Sequence, residues 1–453
     1  MDKSIFRAYD IRGVYPSELN EQDAYRIARA VFKYTKPKKV AVGRDVRLSA
    51  PAIHRAVCQG FADSGCEIVD CGMTGTDVVA WASGSKDFDI TINVTASHNP
   101  KEWIGMKIFA RGGIAVGGNG EIQAIRELAD KFPEGEYCPS DVTIRQVNLT
   151  ADWIEHVLSF VKGIRIKPFK LVVDAGNGVA GPIVRELAKY LPIDLVEMYF
   201  EPDGNFPNHL PSPIEPQNVV GLQKRIVEEK ADMGIAFDGD ADRMFLVDEK
   251  GGIVTGSETT AMVMDEILSQ DPSRVVLYNA ICGWNVQDVI AKHKAKTYRT
   301  LVGHAYIRRD MKKYSAYFAG EHSGHYFFKE NFNGDSGIIA AVIVLALLSK
   351  ENNPLSELLK PHREYCQIPE TNFKVRDVKE VLDELERKYS NYGVDKLDGL
   401  TVRAEDWWFN VRPSSNEPLL RLNLEAKTKS ALERMTRELT NYIAQRAQIS
   451  VLS

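Results

Sequence analysis

The sequence predicts an α/β fold with three consecutive α/β domains, whose sheets are mixed but mostly parallel, and a smaller α+β domain at the C-terminus. A chain of 453 residues with 44% hydrophobic residues is long enough to form several cores. Apolar segments of period two alternate with segments of helical period, which is typical of parallel strands joined by helices. The order changes after Pro361, where strand patterns follow one another. We therefore expect domains at residues 1–150, 151–252, 253–365 and 366–453.

In the first domain, helical and strand patterns alternate in βαβ order. Asn20 can cap a helix whose apolar residues recur at helical spacing over residues 24–32. Strand patterns at residues 40–42 and 66–69 flank a second helical pattern. Residues 88–94 alternate between apolar and polar side chains, and they predict a further strand of the same sheet.

The second and third domains repeat this alternation, and the fourth domain departs from it. Strands are predicted at residues 171–174, 194–200, 233–237, 244–247, 253–254, 275–278, 298–301 and 316–319, and helices at residues 182–191, 219–230, 286–291, 307–314 and from 338 onward. In the fourth domain, a helix at residues 378–389 precedes strands at 400–403, 407–411 and 419–424, and a helix at 431–447 follows them. Functional side chains are expected on the loops that such a scaffold positions.

The loop at residues 95–100, Thr-Ala-Ser-His-Asn-Pro, follows the strand at residues 88–94. It places Ser97 at the carboxyl end of a strand, where the scaffold fixes its direction and the loop leaves its oxygen accessible. We interpret Ser97 as a nucleophilic or phosphorylatable hydroxyl. An Asn-Pro turn in which Ser97 bonds its own backbone is the structural alternative.

Three carboxylates, Asp238, Asp240 and Asp242, alternate along the loop that follows the strand at residues 233–237. At this spacing they can converge on a hard divalent cation, which takes oxygen ligands and suits substrate phosphates. A solvated acidic turn is less favoured, because like charges so close repel one another without a cation. An EF-hand is excluded, because Arg243 occupies the loop position that requires glycine.

A glycine-rich loop suggests a different enzyme class. Gly176, Gly178 and Gly181 form a Gly-x-Gly-x-x-Gly pattern between a strand and a helix, and Glu201 follows 20 residues later. This pattern is typical of dinucleotide sites, so a nucleotide-dependent oxidoreductase is an alternative function. The same glycines also fit a tight connection between a strand and a helix. A titration with NAD(P) that detects no binding would exclude the oxidoreductase.

Two later loops carry polar side chains that suit a phosphorylated sugar. Residues 321–325, Glu-His-Ser-Gly-His, follow a strand, and their carboxylate, hydroxyl and imidazole groups can grip sugar hydroxyls. The loop between the last two strands contains Arg412, Ser414, Ser415 and Asn416. A guanidinium with hydroxyl, amide and backbone donors can bind a phosphate. A plain polar turn is the alternative at both places.

Composition argues against several partner classes. A net charge of -5 and a pI near 6.1 argue against a broad nucleic-acid surface. The longest apolar run, residues 338–348, is shorter than the roughly 20 residues that span a bilayer, and the first residues do not read as a signal peptide. The six cysteines lack Cys-x-x-Cys spacing and are expected to be reduced thiols. We expect a cytoplasmic protein that binds neither nucleic acid nor membrane.

Taken together, these motifs resemble those of the α-D-phosphohexomutase family, in its phosphomannomutase/phosphoglucomutase branch. The motifs are Tyr-Asp-Ile-Arg-Gly at residues 9–13, Thr-Ala-Ser-His-Asn-Pro at 95–100, Asp-Gly-Asp-Ala-Asp-Arg at 238–243, Gly-Glu-His-Ser-Gly-His at 320–325 and Arg-Pro-Ser-Ser-Asn-Glu-Pro at 412–418. The resemblance covers nearly the whole chain. It implies four domains around one central cleft, and an enzyme that interconverts hexose 1-phosphate and hexose 6-phosphate through a phosphoserine and a 1,6-bisphosphate.

The resemblance also implies a role for each motif residue. Ser97 is expected to carry the phosphoryl group, and a phosphoserine oxygen with Asp238, Asp240 and Asp242 is expected to hold one Mg²⁺ ion per chain. The other expected catalytic residues are Arg12, His98 and Arg243 around the phosphoserine, with Lys107 and His304 as acid/base candidates. The expected substrate-binding residues are Tyr9, Glu321, Ser323, His325, Arg412, Ser414, Ser415 and Asn416. A hexose 1,6-bisphosphate is the expected activator.

The preferred sugar stays open between mannose, glucose and glucosamine. Many relatives have Ser-Asn-Thr, and amino-sugar mutases have Ser-Gly-Thr, where this chain has Ser-Ser-Asn at residues 414–416. Near residues 280–282 the chain lacks a lysine that some relatives carry, and His322 stands where methionine is common. A phosphoglucosamine mutase is therefore an alternative, and a phospho-sugar-binding protein without catalysis is another. The expected partner is a small-molecule phosphosugar, and the chain is expected to be a monomer or a small homo-oligomer.

Overall fold

The computed structural model describes residues 1–351, 353–414 and 419–446, and their strands form four sheets that follow one another along the chain. Helices and strands alternate through the first three sheets, whereas the fourth sheet is antiparallel. The predicted fold class is therefore confirmed. In each of the first three sheets, parallel strands form one side and antiparallel strands form the other, so the antiparallel part is larger than the sequence pattern suggested.

The first domain contains a sheet of seven strands. Its elements are β1 (Ile11–Val14), α1 (Glu21–Thr35), β2 (Lys39–Arg44), α2 (Ala50–Ala62), β3 (Glu67–Met73), α3 (Thr76–Ser85), β4 (Ile90–Val94), β5 (Trp103–Ala110), β6 (Ile114–Ala115), α4 (Glu121–Ala129) and β7 (Arg145–Gln146). The strand order is β1-β5-β4-β2-β3-β7, with β6 beside β5. Asn20 caps α1 in a reciprocal pair with Asp23, as the sequence predicts. Antiparallel pairing places Lys107 of β5 opposite Asn93 of β4.

The sheet of the second domain combines three parallel strands with two strands in antiparallel pairing. Its elements are α5 (Thr150–Ser159), β8 (Phe169–Asp174), α6 (Ala180–Leu187), β9 (Ile193–Met198), α7 (Val220–Glu229), β10 (Met233–Phe237), β11 (Met244–Asp248) and β12 (Ile253–Val254), with strand order β12-β11-β10-β8-β9. The loop of the three aspartates joins β10 to the antiparallel β11. Because every residue of both strands is buried, this loop is fixed at both ends.

The third domain repeats this plan. Its elements are α8 (Gly256–Gln270), β13 (Val276–Asn279), α9 (Trp284–His293), β14 (Thr297–Thr300), α10 (His304–Tyr314), β15 (Phe318–Gly320), β16 (Tyr326–Phe328), β17 (Gly334–Asp335), α11 (Gly337–Lys350) and α12 (Leu355–Leu358), with strand order β14-β13-β15-β16-β17. The apolar helix α11 is buried around most of its surface, and Ser336 caps it. None of the helices in the described ranges combines the length and apolar character that crossing a membrane requires.

The fourth domain is an antiparallel sheet covered by two helices. Its elements are β18 (Cys366–Gln367), β19 (Thr371–Phe373), α13 (Val378–Lys388), β20 (Gly393–Asp395), β21 (Leu400–Arg403), β22 (Trp407–Pro413), β23 (Leu420–Ala426) and α14 (Lys429–Ala444), with strand order β18-β23-β22-β21-β20 and β19 beside β23. Its buried apolar residues form a cluster of their own. By contrast, one cluster extends through the first, second and third domains, and another lies within the first domain.

Candidate active site

A cavity of about 570 Å³ lies where the four domains meet. This volume is in the range of small-molecule sites. Its lining includes Tyr9, Arg12, His98, Asn99 and Lys107 from the first domain, Ser212, Glu215 and Arg243 from the second, Ile281, His304, Glu321, Ser323 and His325 from the third, and Glu370, Arg412, Ser414 and Arg421 from the fourth. The structure therefore brings most of the residues predicted from the motifs to one place.

Ser97 lies beside this cavity and is fully buried. Its Oγ donates a hydrogen bond to Asp238 Oδ2 at 2.7 Å and lies 3.3 Å from His98 Nδ1. The expectation of an accessible hydroxyl is therefore wrong for this conformation, because the acidic loop of the second domain covers Ser97. The backbone of Ser97 has a φ of +52°, which is unusual for a residue other than glycine. Such strain is typical of functional loops that their surroundings hold in place.

Arg47 holds the Ser97 loop in this conformation. Its guanidinium donates to the carbonyl oxygens of Ser97 at 2.8 Å, Asn99 at 2.6 Å, Pro100 at 2.6 Å and Trp103 at 3.0 Å. Its Nε donates to Asp45, whose carboxylate also accepts from the Thr95 hydroxyl. Because Arg47 is completely buried, each of these acceptors is satisfied without water. The sequence did not single out Arg47, since its partners are backbone atoms about 50 residues away.

The three predicted metal ligands converge. Oxygen atoms of Asp238, Asp240 and Asp242 lie within 4.8 Å of one another, and all three residues are buried. Asp240 Oδ2 accepts from Thr76 and Lys107, whereas Asp240 Oδ1 is buried and has no hydrogen-bond partner among the described residues. An all-carboxylate donor set with an unsatisfied buried oxygen fits a hard divalent cation.

Lys107 lies against the acidic cluster. Its Nζ lies 2.8 Å from Asp240 Oδ2 and 2.5 Å from Asp242 Oδ2. Against the effect of burial, these two carboxylates raise the pKa of Lys107. Burial, together with the charges of Asp240 and Asp242, raises the pKa of Asp238 well above its usual value. Lys107 is thus protonated in this arrangement, and it offsets part of the negative charge.

The residues expected around the phosphoserine lie on three different elements. Arg12 on β1 donates to Asn99 Oδ1 at 2.6 Å and pairs with Asp10. The Arg243 backbone N–H donates to Asp238 Oδ1, and its Nε lies 3.6 Å from Asp238 Oδ2. Burial, and then the charges of Arg243 and Arg12, lower the pKa of His98 well below its usual value. Arg12 and Arg243 thus contact the direct neighbours of Ser97, Asn99 and Asp238, and the imidazole beside Ser97 is neutral.

His304 begins helix α10 and lines the cavity. Tyr9 contacts it edge-on, with ring centroids 4.9 Å apart. Burial lowers the pKa of His304 well below its usual value, and the charges of Lys107 and Arg308 lower it further. The imidazole is consequently neutral, which leaves it able to accept a proton.

The 321–325 loop forms a connected polar network. Glu321 Oε1 accepts from Asn279 Nδ2 and from the Gly303 backbone N–H, and its Oε2 lies 3.2 Å from His325 Nδ1. Ser323 Oγ lies 3.0 Å from the same nitrogen. Against burial and the charge of Arg243, Asp242 and Glu321 raise the pKa of His325 to about 9. His325 therefore links the 321–325 loop to the acidic cluster, since its Nε2 lies 3.4 Å from Asp242 Oδ1.

The fourth domain contributes a cationic wall. Arg412 on β22 and Arg421 on β23 both pair with Glu370, at 3.3 Å and 2.8 Å. Against burial, the two guanidinium groups lower the pKa of Glu370 to about 2. The Ser414 backbone N–H donates to Leu419 O. Ser415 and Asn416 lie outside the described residues.

Sequence reasoning did not identify Glu370 and Arg421. Arg421 alternates with leucines on a strand, so its spacing indicates only that it faces away from them. Glu370 precedes the short strand β19 and has no motif around it. Arg421 enters the site because antiparallel pairing places it opposite Arg412, and Glu370 enters it because the following strand, β19, pairs with β23.

The glycine-rich loop at residues 176–181 packs closely against two neighbouring segments of the second domain. A Cβ on Gly178 would lie 2.7 Å from the carbonyl oxygen of Gly239, and one on Gly181 would lie 2.2 Å from that of Phe200. The Val179 N–H donates to Gly239 O. These glycines therefore let the loop pack against the acidic loop and β9, and this packing accounts for the pattern that suggested a dinucleotide site.

Models of one family match each of the four domains in order. They are described as phosphoglucomutase/phosphomannomutase alpha/beta/alpha domain I at residues 3–134, domain II at 151–252, domain III at 255–365 and the C-terminal domain at 370–441. The chain belongs to the phosphoglucomutase/phosphomannomutase family. It is accordingly an intramolecular phosphotransferase that acts as a hexose phosphate mutase, as its motifs indicate.

Curated and solved relatives agree with this assignment. A phosphomannomutase of Vibrio cholerae is 36% identical over 443 residues, which cover 94% of this chain and 95% of that protein. A protein of Xanthomonas campestris described as phosphohexose mutases is 36% identical over 97% of this chain and 98% of that protein. A crystal structure of a phosphoglucomutase/phosphomannomutase family protein from Burkholderia thailandensis has a TM-score of 0.88 at 30% identity, and the alignment covers both chains completely.

The role of Arg47 in this family member can be tested by substitution. We expect Arg47→Lys to lower the free energy of unfolding by about 3 kcal/mol, because the three donors of an ammonium cannot serve four carbonyls and Asp45, and each buried acceptor left without a donor costs about 1–3 kcal/mol. Urea unfolding followed by circular dichroism measures the change. Arg55→Lys, on the exposed side of α2, is the matched control and should stay within about 0.5 kcal/mol of the parent. Equal stability of the two variants would contradict the role of Arg47.

Proposed function

We propose that this mutase interconverts hexose 1-phosphates and hexose 6-phosphates through a phosphoryl group carried on Ser97. The observation that carries the proposal is the hydrogen bond of 2.7 Å between Ser97 Oγ and Asp238, at the edge of a cavity lined by all four domains. A phosphoryl donor beside a cluster of cation ligands, in a cavity of sugar-phosphate size, suits phosphoryl transfer.

Residues around Ser97 take different roles in the two phosphoryl transfers. The phosphoryl group passes from Ser97 to the 6-hydroxyl of a hexose 1-phosphate, and the 1-phosphoryl group later returns from the bisphosphate to Ser97. Neutral His304 accepts the proton of the attacking hydroxyl. Protonated Lys107 is the candidate acid that returns a proton to the Ser97 oxygen as it leaves, and its charge stabilises the transferred group. Arg12, Arg243 and His98 surround the phosphoserine. A Mg²⁺ ion held by Asp238, Asp240 and Asp242 would neutralise charge on the transferred group.

The substrate is held at two further places. Arg412 and Ser414, with Ser415 and Asn416, bind the phosphate that does not react, because a guanidinium matches phosphate geometry. Glu321, Ser323 and His325 bind the sugar hydroxyls, and Tyr9 borders the cavity beside His304. One fixed donor and one fixed phosphate grip require the sugar to reorient between the two transfers. We further propose a hexose 1,6-bisphosphate as the activator and a cytoplasmic location.

A substrate panel tests the function. The protein is incubated in turn with mannose 1-phosphate, glucose 1-phosphate and glucosamine 1-phosphate, with Mg²⁺ and trace 1,6-bisphosphate, and formation of each 6-phosphate is followed. We expect turnover of mannose and glucose phosphates. A faster rate with glucosamine 1-phosphate would favour the phosphoglucosamine mutase. Binding of a phosphosugar without turnover of any would instead indicate a non-catalytic binding protein.

Ser97→Ala tests the phosphoryl carrier. We expect kcat to fall by at least about 10³-fold, because the variant has no oxygen that can carry the group. The intact mass should show one phosphate on the wild type after incubation with 1,6-bisphosphate, and none on the variant. Ser64→Ala, at the end of α2, is the control and should retain activity. Full activity of Ser97→Ala would refute the mechanism.

Asp240→Asn tests the metal site without relying on turnover. A cation that binds only the folded chain stabilises it by about 2.7 kcal/mol at 100 times its Kd. We expect added Mg²⁺ to raise the Tm of the wild type and of Asp232→Asn, a surface control, but to have a much smaller effect on Asp240→Asn. Calorimetric titration should give one ion per chain. The same rise in Tm for all three proteins would place the ion elsewhere.

A further inference from the structure

The fourth domain contacts the third through polar groups at separate places. Arg299 on β14 pairs with Asp395 at the end of β20. The carboxylate of Glu425 on β23 accepts from the backbone N–H of Trp284, the first residue of α9. Asp398, in the turn between β20 and β21, accepts from the backbone N–H of Val302 at 2.7 Å. Two of these contacts satisfy backbone groups of the third domain with side chains of the fourth.

The turn that contains Asp398 also lies against the phosphate-binding strand. The backbone carbonyl oxygen of Asp398 accepts a hydrogen bond from Asn410 Nδ2 at 2.7 Å. The next residue, Gly399, has a φ of +66°, and a Cβ there would lie 2.4 Å from Val411 O and 2.6 Å from the Cα of Arg412. The turn is therefore packed directly against the backbone of Arg412. A shift of β22 would move the turn, and Asp398 with it.

On the other side of the contact, Val302 leads directly into His304. The Val302 N–H is bound by Asp398, and the Gly303 N–H is bound by Glu321 Oε1 at 3.1 Å. Gly303 has a φ of +132°, and a Cβ there would lie 2.6 Å from the Tyr9 ring. The conformation of this segment thus depends on two carboxylates. One belongs to the sugar-binding loop, and the other belongs to the fourth domain.

We infer that Asp398 is a positioning residue that makes the orientation of His304 depend on the seating of the fourth domain. The inference rests on the proposed function, in which His304 is the base and Arg412 holds the distal phosphate. When the fourth domain is seated, Asp398 holds the Val302 amide and Arg412 faces the cavity. When that domain is displaced, the amide loses its acceptor and the segment before His304 is released. His304 is therefore correctly oriented only when Arg412 is also positioned to bind the distal phosphate.

Substitution of Asp398 separates this role from a purely structural one. We expect Asp398→Ala to lower kcat about tenfold with KM within about threefold of the wild type, because the loss of one amide hydrogen bond disturbs the base. Asp398→Asn keeps a carbonyl oxygen that can accept from Val302, and it should recover kcat to within about threefold. Asp377→Ala is the matched control, because Asp377 accepts one backbone N–H within the fourth domain, at the start of α13.

Hydrogen exchange followed by mass spectrometry gives a second readout that needs no turnover. We expect Asp398→Ala to speed exchange at residues 301–306, and Asp377→Ala to speed exchange only near residues 378–382. Unchanged exchange at residues 301–306 in Asp398→Ala would overturn the inference, and so would a rise in KM with kcat unaltered. A wild type that converts no hexose phosphate would refute the proposed function instead, and the exchange data would still decide whether Asp398 holds the segment.

Discussion

Three carboxylates buried within 4.8 Å of one another are the constraint on which the site depends. Like charges at this distance are unfavourable in a protein interior, so the chain has to bring compensating groups to them. Lys107 comes from the first domain and His325 from the third, while the Ser97 hydroxyl and the Thr76 hydroxyl donate to Asp238 and Asp240. The acidic loop of the second domain is therefore the point where the first and third domains meet, and the cavity opens beside it.

The serine and its neighbours are fixed before any substrate arrives. Arg47 binds four carbonyls around Ser97. The backbone of Gly239 approaches Ser97 so closely that a Cβ at residue 239 would lie 2.6 Å from Ser97 O. Packing of this kind leaves the Ser97 loop little freedom, which suits the proposed phosphoryl transfer, because such transfer depends on position more than on strong acids or bases. The fourth domain, which carries Arg412, is held differently, through hydrogen bonds and an ion pair with the third domain.

Much of the fold and the site could be predicted from sequence, because the relevant signals are local. The strands that lead to Ser97 and Asp238 have clear patterns, and each polar motif follows a strand end. Strand β5, which carries Lys107, was not predicted, although the family resemblance named that lysine. Arg47, Glu370 and Arg421 were also missed, because their partners are distant in the chain and only the folded topology brings them together. The burial of Ser97 was not predictable either, since it depends on a loop about 140 residues away.

The separate core of the fourth domain affects the order in which the domains unfold. Apolar burial is the main cooperative force in folding, and one cluster runs through the first three domains while another stays within the fourth. The contact between them contains an ion pair and backbone hydrogen bonds, such as Arg299 with Asp395 and the Val302 N–H with Asp398, which break when the fourth domain moves away. We therefore expect the fourth domain to open separately from the three domains that share a cluster, and opening at this contact would expose the mouth of the cavity while Ser97 and the three carboxylates stay assembled.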